Sequence, residues 1–150
     1  MKATLLSPEH VLKYWPLLEP EIQKALNYSS SESTTYDVFL TCLNPEKGQC
    51  WVVFDDEEKL INVTTTQINI YDQYKTLHIR TTTSVGKIKL KDYIKYHRLL
   101  EAFAKEIGAV RIEMRGRPGW KRVLGKLIQG KQEETYEHQY TVMSMPLKEE

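Results

Sequence analysis

The sequence has few cysteines and glycines and no long apolar run. Its 150 residues include only 2 Cys and 7 Gly. Two cysteines are too few for a disulfide framework, so we interpret Cys42 and Cys50 as buried thiols in a reducing compartment. No window approaches about 18 consecutive apolar residues, and residues 1–10 lack the apolar core of a signal peptide. We therefore predict a chain that crosses no membrane and resides in the cytoplasm in which it is made.

Several motifs of catalytic and nucleotide-binding sites are also missing. The chain has no Gly-x-Ser-x-Gly, no Walker loop and no Gly-x-Gly-x-x-Gly. No group of His, Cys, Asp and Glu has the spacing of metal ligands, so we predict no metal site. His78 alternates with Leu77 and Ile79, which favours a surface or groove histidine over a general base. For His97 we predict a hydrogen-bonded packing role.

Positive and negative charges nearly balance over the whole chain, but they are distributed unevenly along it. The formal net charge is +1, yet residues 75–131 hold 15 Lys and Arg against 4 Asp and Glu, which leaves 6 against 16 elsewhere. Such an asymmetry suits an oriented docking surface for a protein or a nucleic acid. A solvated helix face is the commoner explanation of any single charge run.

Two helices are predicted in the first third of the chain. Ser7 followed by Pro8 is typical of a helix start, and helically spaced apolar residues predict a helix over residues 8–27. Pro16 and Pro20 each remove a backbone donor, so we expect them to kink or split that helix. Thr34 can cap a second helix that ends near residues 44–45.

A meander of three strands is predicted next, over residues 49–54, 60–70 and 76–84, after a short first strand at residues 3–6. The apolar parity of the 60–70 strand changes along its length, which indicates a β-bulge near residues 65–67. In the third strand of the meander we expect Leu77, Ile79 and Thr81 on one face.

The remaining pattern alternates helix and strand. It predicts a helix over residues 90–107 that Gly108 ends, a strand through Val110, Ile112 and Met114, a helix over residues 120–130 and a strand over residues 135–145. The order is β-α-α-β-β-β-α-β-α-β. We predict one α/β (α+β) domain over residues 1–150, with a mixed, mostly antiparallel sheet between helices in three layers.

That order resembles the GNAT fold of N-acyltransferases. The segment EAFAKEIGAVRIEMRGRPGWKRVL, residues 101–124, is also similar to a pattern in small GNAT-like proteins of tailed bacteriophages. In that pattern a helix ending Ala-x-x-x-Gly precedes a strand and then Gly-Arg-x-Gly-Trp with a Leu four residues on. The matching positions are Ala104, Gly108, Gly116, Arg117, Gly119, Trp120 and Leu124.

The resemblance implies where acetyl-CoA would bind. Active relatives hold it between two splayed strands, with its pyrophosphate on a glycine-rich loop at the next helix. The equivalent loop, residues 83–90, has one glycine, with β-branched Val85 and Ile88 where open amides are needed, and residues 120–129 lack the tyrosine that many relatives use as a general acid. If acetyl-CoA binds, the cofactor residues are Thr81, Thr82, Thr83, Ser84, Gly86 and Lys87.

Three functions follow as hypotheses. The first is a catalytically degenerate phage protein that needs no cofactor and acts through contacts with other virion proteins, in the host cytoplasm during assembly or in the virion. The second is an active acyl-CoA-dependent N-acetyltransferase with a diverged pyrophosphate loop. The third is nucleic-acid binding through the basic region, residues 75–131. The partner-binding residues under the first and third hypotheses are Arg115, Arg117, Lys121 and Arg122.

Overall fold

The computed structural model of this protein describes residues 1–28, 33–114 and 145–147. The chain divides into two compact units, Met1–Arg115 and Gly116–Glu150. In the second unit, residues 145–147 are exposed and lie in neither helix nor strand, so the predicted strand does not extend to Met145. The rest of that strand and the predicted helix over residues 120–130 lie outside the described residues. A single domain over residues 1–150 stays a prediction.

The first unit contains eight elements in the predicted order. They are β1 (Lys2–Leu5), α1 (Pro8–Leu26), α2 (Thr35–Cys42), β2 (Gly48–Phe54), β3 (Leu60–Ile70), β4 (Lys75–Ser84), α3 (Leu90–Glu106) and β5 (Arg111–Met114). The strands form one sheet in sequence order. β1 to β4 pair antiparallel, and β5 pairs parallel with β4. The predicted mixed, mostly antiparallel α/β sheet is confirmed.

Helix α1 begins as predicted, because the Ser7 side chain accepts a hydrogen bond from the His10 amide and Pro8 occupies the first turn. The predicted split is wrong, since α1 runs unbroken with Pro16 and Pro20 inside it. Both prolines are exposed. Water can therefore satisfy the carbonyls that the missing donors leave, while the buried face opposite holds the helix on the sheet. That face consists of Val11, Leu18, Ile22 and Leu26.

Helices cover both faces of the sheet, and each face has its own apolar core. On one face, α1 and α2 pack against Cys50, Val52 and Val63. On the other, Tyr96 and Leu100 of α3 pack against a cluster of side chains from the sheet, which are Trp51, Val53, Ile61 and Ile79. The two faces are named below the α1/α2 face and the α3 face. This arrangement confirms the predicted three layers.

Both cysteines are buried on the α1/α2 side, as predicted. Burial raises the pKa of the Cys42 thiol to about 12, and the nearby Arg80 guanidinium only partly offsets this effect. The pKa of Cys50 is also raised, first by burial and then by Cys42. Because a thiolate is the reactive form, neither side chain is an activated nucleophile.

A β-bulge lies where the sequence predicts one, but the extra residue is on the neighbouring strand. The register of β3 against β4 shifts between Thr65 and Thr66, which pair with Thr81 and Ile79. Arg80 of β4 is therefore the inserted residue. The insertion places Thr81 on the α1/α2 face, where its hydroxyl lies 2.6 Å from that of Thr65. The expectation that Thr81 shares a face with Leu77 and Ile79 is wrong, because the bulge reverses the alternation.

Gly48 lies against the end of α2. A Cβ added at Gly48 would lie 2.6 Å from Cγ2 of Thr41 and 3.1 Å from its carbonyl oxygen. Since backbone as well as side chain is in the way, a larger residue would displace α2 from the start of β2.

We predict that Gly48→Ala lowers the free energy of unfolding by about 1–3 kcal/mol through overpacking. Urea denaturation measures the change. Gly86→Ala is the matched control, because its Cβ would make only an ordinary contact, 3.5 Å from Cγ2 of Ile61. The control should stay within about 0.5 kcal/mol of the wild type or be slightly more stable. Equal effects of the two substitutions would contradict the packing argument.

His97 has the packing role predicted for it. It is buried, and its Nδ1 lies 3.0 Å from Oε1 of Glu101, one helical turn further along α3. Burial lowers the pKa of His97, and Glu101 only partly opposes this shift. Protons therefore bind more readily to the unfolded chain. As the pH drops below about 6.5, the ordinary pKa of histidine, the free energy of unfolding falls because His97 must stay neutral in the folded protein.

We predict that His97→Gln makes stability less dependent on pH between about 7 and 5. Urea denaturation at stepped pH measures the slope for the wild type and the variant. The exposed His10 supplies the control, since His10→Gln should leave the slope unchanged. A slope in His97→Gln as steep as in the wild type would show that burial of this imidazole is not its source.

Candidate ligand-binding site beside strand β4

The parallel pairing of β4 with the described residues of β5 covers part of β4. It runs from Thr76 with Arg111 to Ile79 with Met114, and residues 115–144 lie outside the described part of the chain. β4 continues through residues 80–84, which extend about 16 Å at the usual rise per residue. Among the described residues, no strand pairs with this segment on the β5 side. The segment begins with the bulge residue Arg80, and its backbone edge is available to an extended ligand.

The predicted cofactor residues of this segment use their hydroxyls inside the protein. Those of Thr81 and Thr82 lie 2.6 and 3.0 Å from threonine hydroxyls of β3, namely Thr65 and Thr64. Thr83 donates to the α1 carbonyl of Glu21 at 2.7 Å. Ser84 is exposed at the end of the strand. The segment therefore offers a ligand its backbone more than the side chains of Thr81, Thr82 and Thr83.

The loop after β4 leads to a helix start without a side-chain cap. α3 begins at Leu90, and Lys89 in the capping position makes no side-chain cap hydrogen bond. Lys87, Lys89 and Lys91 are all exposed around this end. Amides of a first helical turn together with cationic side chains are suited to phosphate.

The fold itself does not require a glycine at position 86. Its backbone does not lie in the left-handed region, and alanine would fit in its place. Close approach of the backbone to a ligand is the usual reason for such a glycine. The loop thus offers a ligand cationic side chains and helix amides, and the fold would accept alanine at position 86.

A polar cluster lies where β3, β4 and β5 meet. Oε1 of Glu113 accepts hydrogen bonds from Asn69, Tyr71 and Thr76 at 2.7–2.9 Å, and Nδ1 of His78 lies 3.6 Å away. The side chains of His78 and Glu113 are 14% and 26% exposed, so both are accessible in part. His78 faces away from Ile79, as the alternation predicts. It lies one ladder pair before the end of the β4–β5 pairing.

The carboxyl of Glu113 stays ionised more readily than usual. Burial acts to raise its pKa, but the hydrogen bonds from Tyr71, Asn69 and Thr76 and the nearby His78 outweigh burial and lower it. A partly buried carboxylate beside a histidine can accept a proton or bind a cationic group. The sequence predicts a short strand that includes Glu113, but it does not show which residue pairs with it. The register of β5 against β4 places Glu113 opposite His78.

Arg80 contacts α2 from the bulge. Its Nη1 donates to Oγ1 of Thr41 at 3.2 Å, and its Nη2 donates to Oγ of Ser33 at 2.9 Å. No sequence motif marks Arg80 as a candidate site residue. The parity change in β3 signals a bulge nearby, but it does not identify the strand that carries the inserted residue.

The predicted site residues are thus brought together only in part. Thr81, Thr82, Thr83, Ser84, Gly86 and Lys87 follow one another along the unpaired edge of β4 and its loop. The predicted partner-binding residues lie outside the described residues and stay predictions; they are Arg115, Arg117, Lys121 and Arg122. Within the described part of the chain, no group of three or more His, Cys, Asp and Glu could hold a metal ion. No described helix is long and apolar enough to cross a membrane.

Solved structures with a fold similar to that of this chain include acetyltransferases. A structure of a probable acetyltransferase matches with a TM-score of 0.69 and 14% identity, covering all of both chains. Glucosamine-6-phosphate N-acetyltransferase from Arabidopsis thaliana matches with a TM-score of 0.59 and 14% identity over 93% of this chain and 97% of that one. An aminoglycoside acetyltransferase from an uncultured soil metagenomic sample matches at 0.60 and 14%, over 95% and 96%.

These likenesses confirm the GNAT fold. Sequence comparison matches the chain to no family profile and to no curated protein. The likeness therefore establishes architecture. The phage resemblance of residues 101–124 stays a prediction, and activity has to be argued from the site.

We predict that Glu113→Gln makes stability less sensitive to acid. A carboxyl with a lowered folded pKa contributes stability at neutral pH that is lost as the pH falls through that pKa. Removing the ionisable group removes this part of the acid limb, which acid titration followed by circular dichroism measures. Glu46→Gln, at an exposed position, is the control and should leave the acid limb unchanged. An unaltered acid limb in Glu113→Gln would contradict the assignment.

Proposed function

We propose that this protein binds an acyl-CoA thioester along the unpaired edge of β4 and transfers the acyl group to an amine. One observation carries the proposal: among the described residues, the parallel β4–β5 ladder runs to Ile79 with Met114, whereas β4 continues through the bulge at Arg80 to Ser84. An extended pantetheine chain can pair with such an edge as an added strand would. The fold shared with acetyltransferases supports the same conclusion.

The described residues fit such a ligand. The backbone of residues 80–84 would hold the pantetheine arm. Lys87, Lys89 and Lys91, with the first-turn amides of α3, would hold the phosphates. When bound, acyl-CoA supplies the acyl group already activated as a thioester.

The acceptor would approach from the α1/α2 face, where the chemistry-bearing side chains lie. The ammonium form of the acceptor must lose a proton before its nitrogen can attack the thioester carbonyl, and His78 would accept this proton. The C–S bond then breaks and CoA leaves as the thiol. Ionised Glu113 beside His78 would stabilise the imidazolium that results. The roles are thus divided: the β4 edge and the α3 end bind the donor, and the polar cluster serves the acceptor.

A catalytically degenerate protein of a phage virion or its assembly is the second candidate. The composition of the loop after β4 favours it, because Gly86 is the one glycine there and its position tolerates a side chain. Under this proposal the partners are virion proteins, and residues 115–122 with the basic region are the docking surface. Mass spectrometry of purified phage particles tests the location directly.

Nucleic-acid binding through residues 75–131 predicts strongly salt-dependent affinity for DNA.

We predict saturable binding of acetyl-CoA with a dissociation constant in the micromolar range, measured by isothermal titration calorimetry. Replacing Lys87, Lys89 and Lys91 together by Gln should weaken binding by roughly tenfold, because each exposed pair of a cation with a phosphate contributes about 0.2–1 kcal/mol. The control triple variant replaces Lys13, Lys95 and Lys105, which are exposed elsewhere, and should bind like the wild type.

The same titration decides between the two candidates. No heat of binding at millimolar acetyl-CoA would overturn the acyltransferase proposal and leave the degenerate protein. Equal weakening in both triple variants would show that only net charge matters, and that the end of α3 is not the phosphate site.

A further inference from the structure

Arg80 is a cation held in place by uncharged partners. It is the inserted residue of the bulge, and its side chain lies on the α1/α2 face. Its two hydrogen bonds within the described residues go to the hydroxyls of Thr41 and Ser33, at 3.2 and 2.9 Å. A guanidinium has five N–H donors, so most of its donor capacity is not used by these contacts.

The surroundings fix the position of this guanidinium. The hydroxyl of Thr41 donates its proton to the carbonyl of Asp37 at 2.8 Å, which leaves its oxygen free to accept from Arg80. Gly48 packs directly against Thr41 and limits its movement. A side chain oriented in this way needs little further ordering when a ligand binds.

No carboxylate neutralises Arg80 within the described part of the chain. No described Asp or Glu lies within 4.0 Å of its nitrogens, since every ion pair found there involves other groups. The charge of Asp37 acts on Arg80 from further away, but Oδ2 of Asp37 accepts from the backbone and hydroxyl of Thr34. A half-buried guanidinium that forms no ion pair with a described carboxylate is suited to an anionic ligand.

The location of Arg80 indicates which ligand this is. Arg80 immediately follows Ile79, the last β4 residue paired with β5. Lys87, Lys89 and Lys91, proposed above for the phosphates of CoA, lie beyond the far end of the unpaired segment, more than about 13 Å along the strand. His78 precedes Arg80 by two residues on the same face. An anion at Arg80 would therefore belong to the acceptor, not to the donor.

We propose that Arg80, with the hydroxyl of Ser33, binds an anionic group of the acceptor, so that the acceptor is an amine that also carries a carboxylate or a phosphate. This inference rests on the proposed acyltransferase function. The guanidinium supplies two parallel donors to two oxygens of the anion, and Ser33 can donate its own proton while accepting from Nη2. The amine of the same small molecule would then lie toward His78 and Glu113.

Binding of matched ligands tests the inference without requiring turnover. Protein loaded with CoA, which carries no acyl group to transfer, is titrated in a calorimeter with three compounds: phosphoethanolamine, β-alanine and the neutral-tailed control ethanolamine. We expect at least one anionic amine to bind at least tenfold more tightly than ethanolamine. Arg80→Gln should weaken that ligand by about 10- to 100-fold and leave ethanolamine within threefold. The phosphate and carboxylate arms distinguish the two anion types.

Two further variants control for the loss of charge and for a failure to fold. Arg80→Lys keeps the charge without the planar fork and should fall between wild type and Arg80→Gln, which also covers a failure of Arg80→Gln to fold. Lys95→Gln removes the same charge from α3, on the opposite face of the sheet, and should bind like the wild type. Rates of CoA release with the same three amines should show the loss in kcat/KM confined to the anionic acceptors.

The outcomes separate this inference from the function on which it rests. If acetyl-CoA does not bind, the acyltransferase proposal fails, and titration of the protein alone with phosphoethanolamine and β-alanine still judges Arg80. If acetyl-CoA binds but all three amines bind equally, or Arg80→Gln changes nothing, the anion site is overturned. If Arg80→Gln instead weakens acetyl-CoA alone, Arg80 serves the donor and the acceptor assignment is wrong.

Discussion

The single inserted residue at Arg80 is the constraint on which the rest of the site depends. A bulge adds local twist and turns the strand, and this one comes directly after Ile79, the last β4 residue that pairs with a described residue of β5. The same insertion reverses the side-chain alternation, which brings Arg80 and Thr81 to the α1/α2 face. A regular strand would place one of these two side chains in the α3 core. In the proposed site, one extra residue thus brings a guanidinium and a hydroxyl to the same face of the sheet, beside the strand edge assigned to the donor.

Around the bulge, β3 and β4 are joined by hydroxyls as well as by the backbone ladder. Thr65 contacts Thr81 on one face of the sheet, and Thr64 contacts Thr82 on the other. Trp51 donates to Thr66 at 3.0 Å, which ties β2 into the same buried polar layer. Satisfied hydrogen bonds at this depth cost little and specify one register. With apolar residues the register of the two strands could shift at a bulge, whereas paired hydroxyls fix which residues face each other.

The sequence predicted the elements well because their signals are local. Helical spacing, the caps at Ser7 and Thr34, and Gly108 with its positive φ of 80° are each readable within a few residues. The predicted split of α1 failed because the effect of a proline depends on which face of the helix is exposed. The site residues Arg80 and Glu113 were missed because their meaning depends on strand register and on partners 39 and 42 residues away.

The hydrogen bond from Thr83 to the carbonyl of Glu21 has a consequence for motion. It fastens the middle of α1 to the unpaired segment of β4, so that the helix cannot slide along the sheet without pulling on that strand. Any rearrangement of α1 on acceptor binding would therefore alter the edge proposed to hold the donor. Under the proposed function, the binding of acceptor and donor would then influence each other in both directions, through one hydroxyl shared between a helix and a strand.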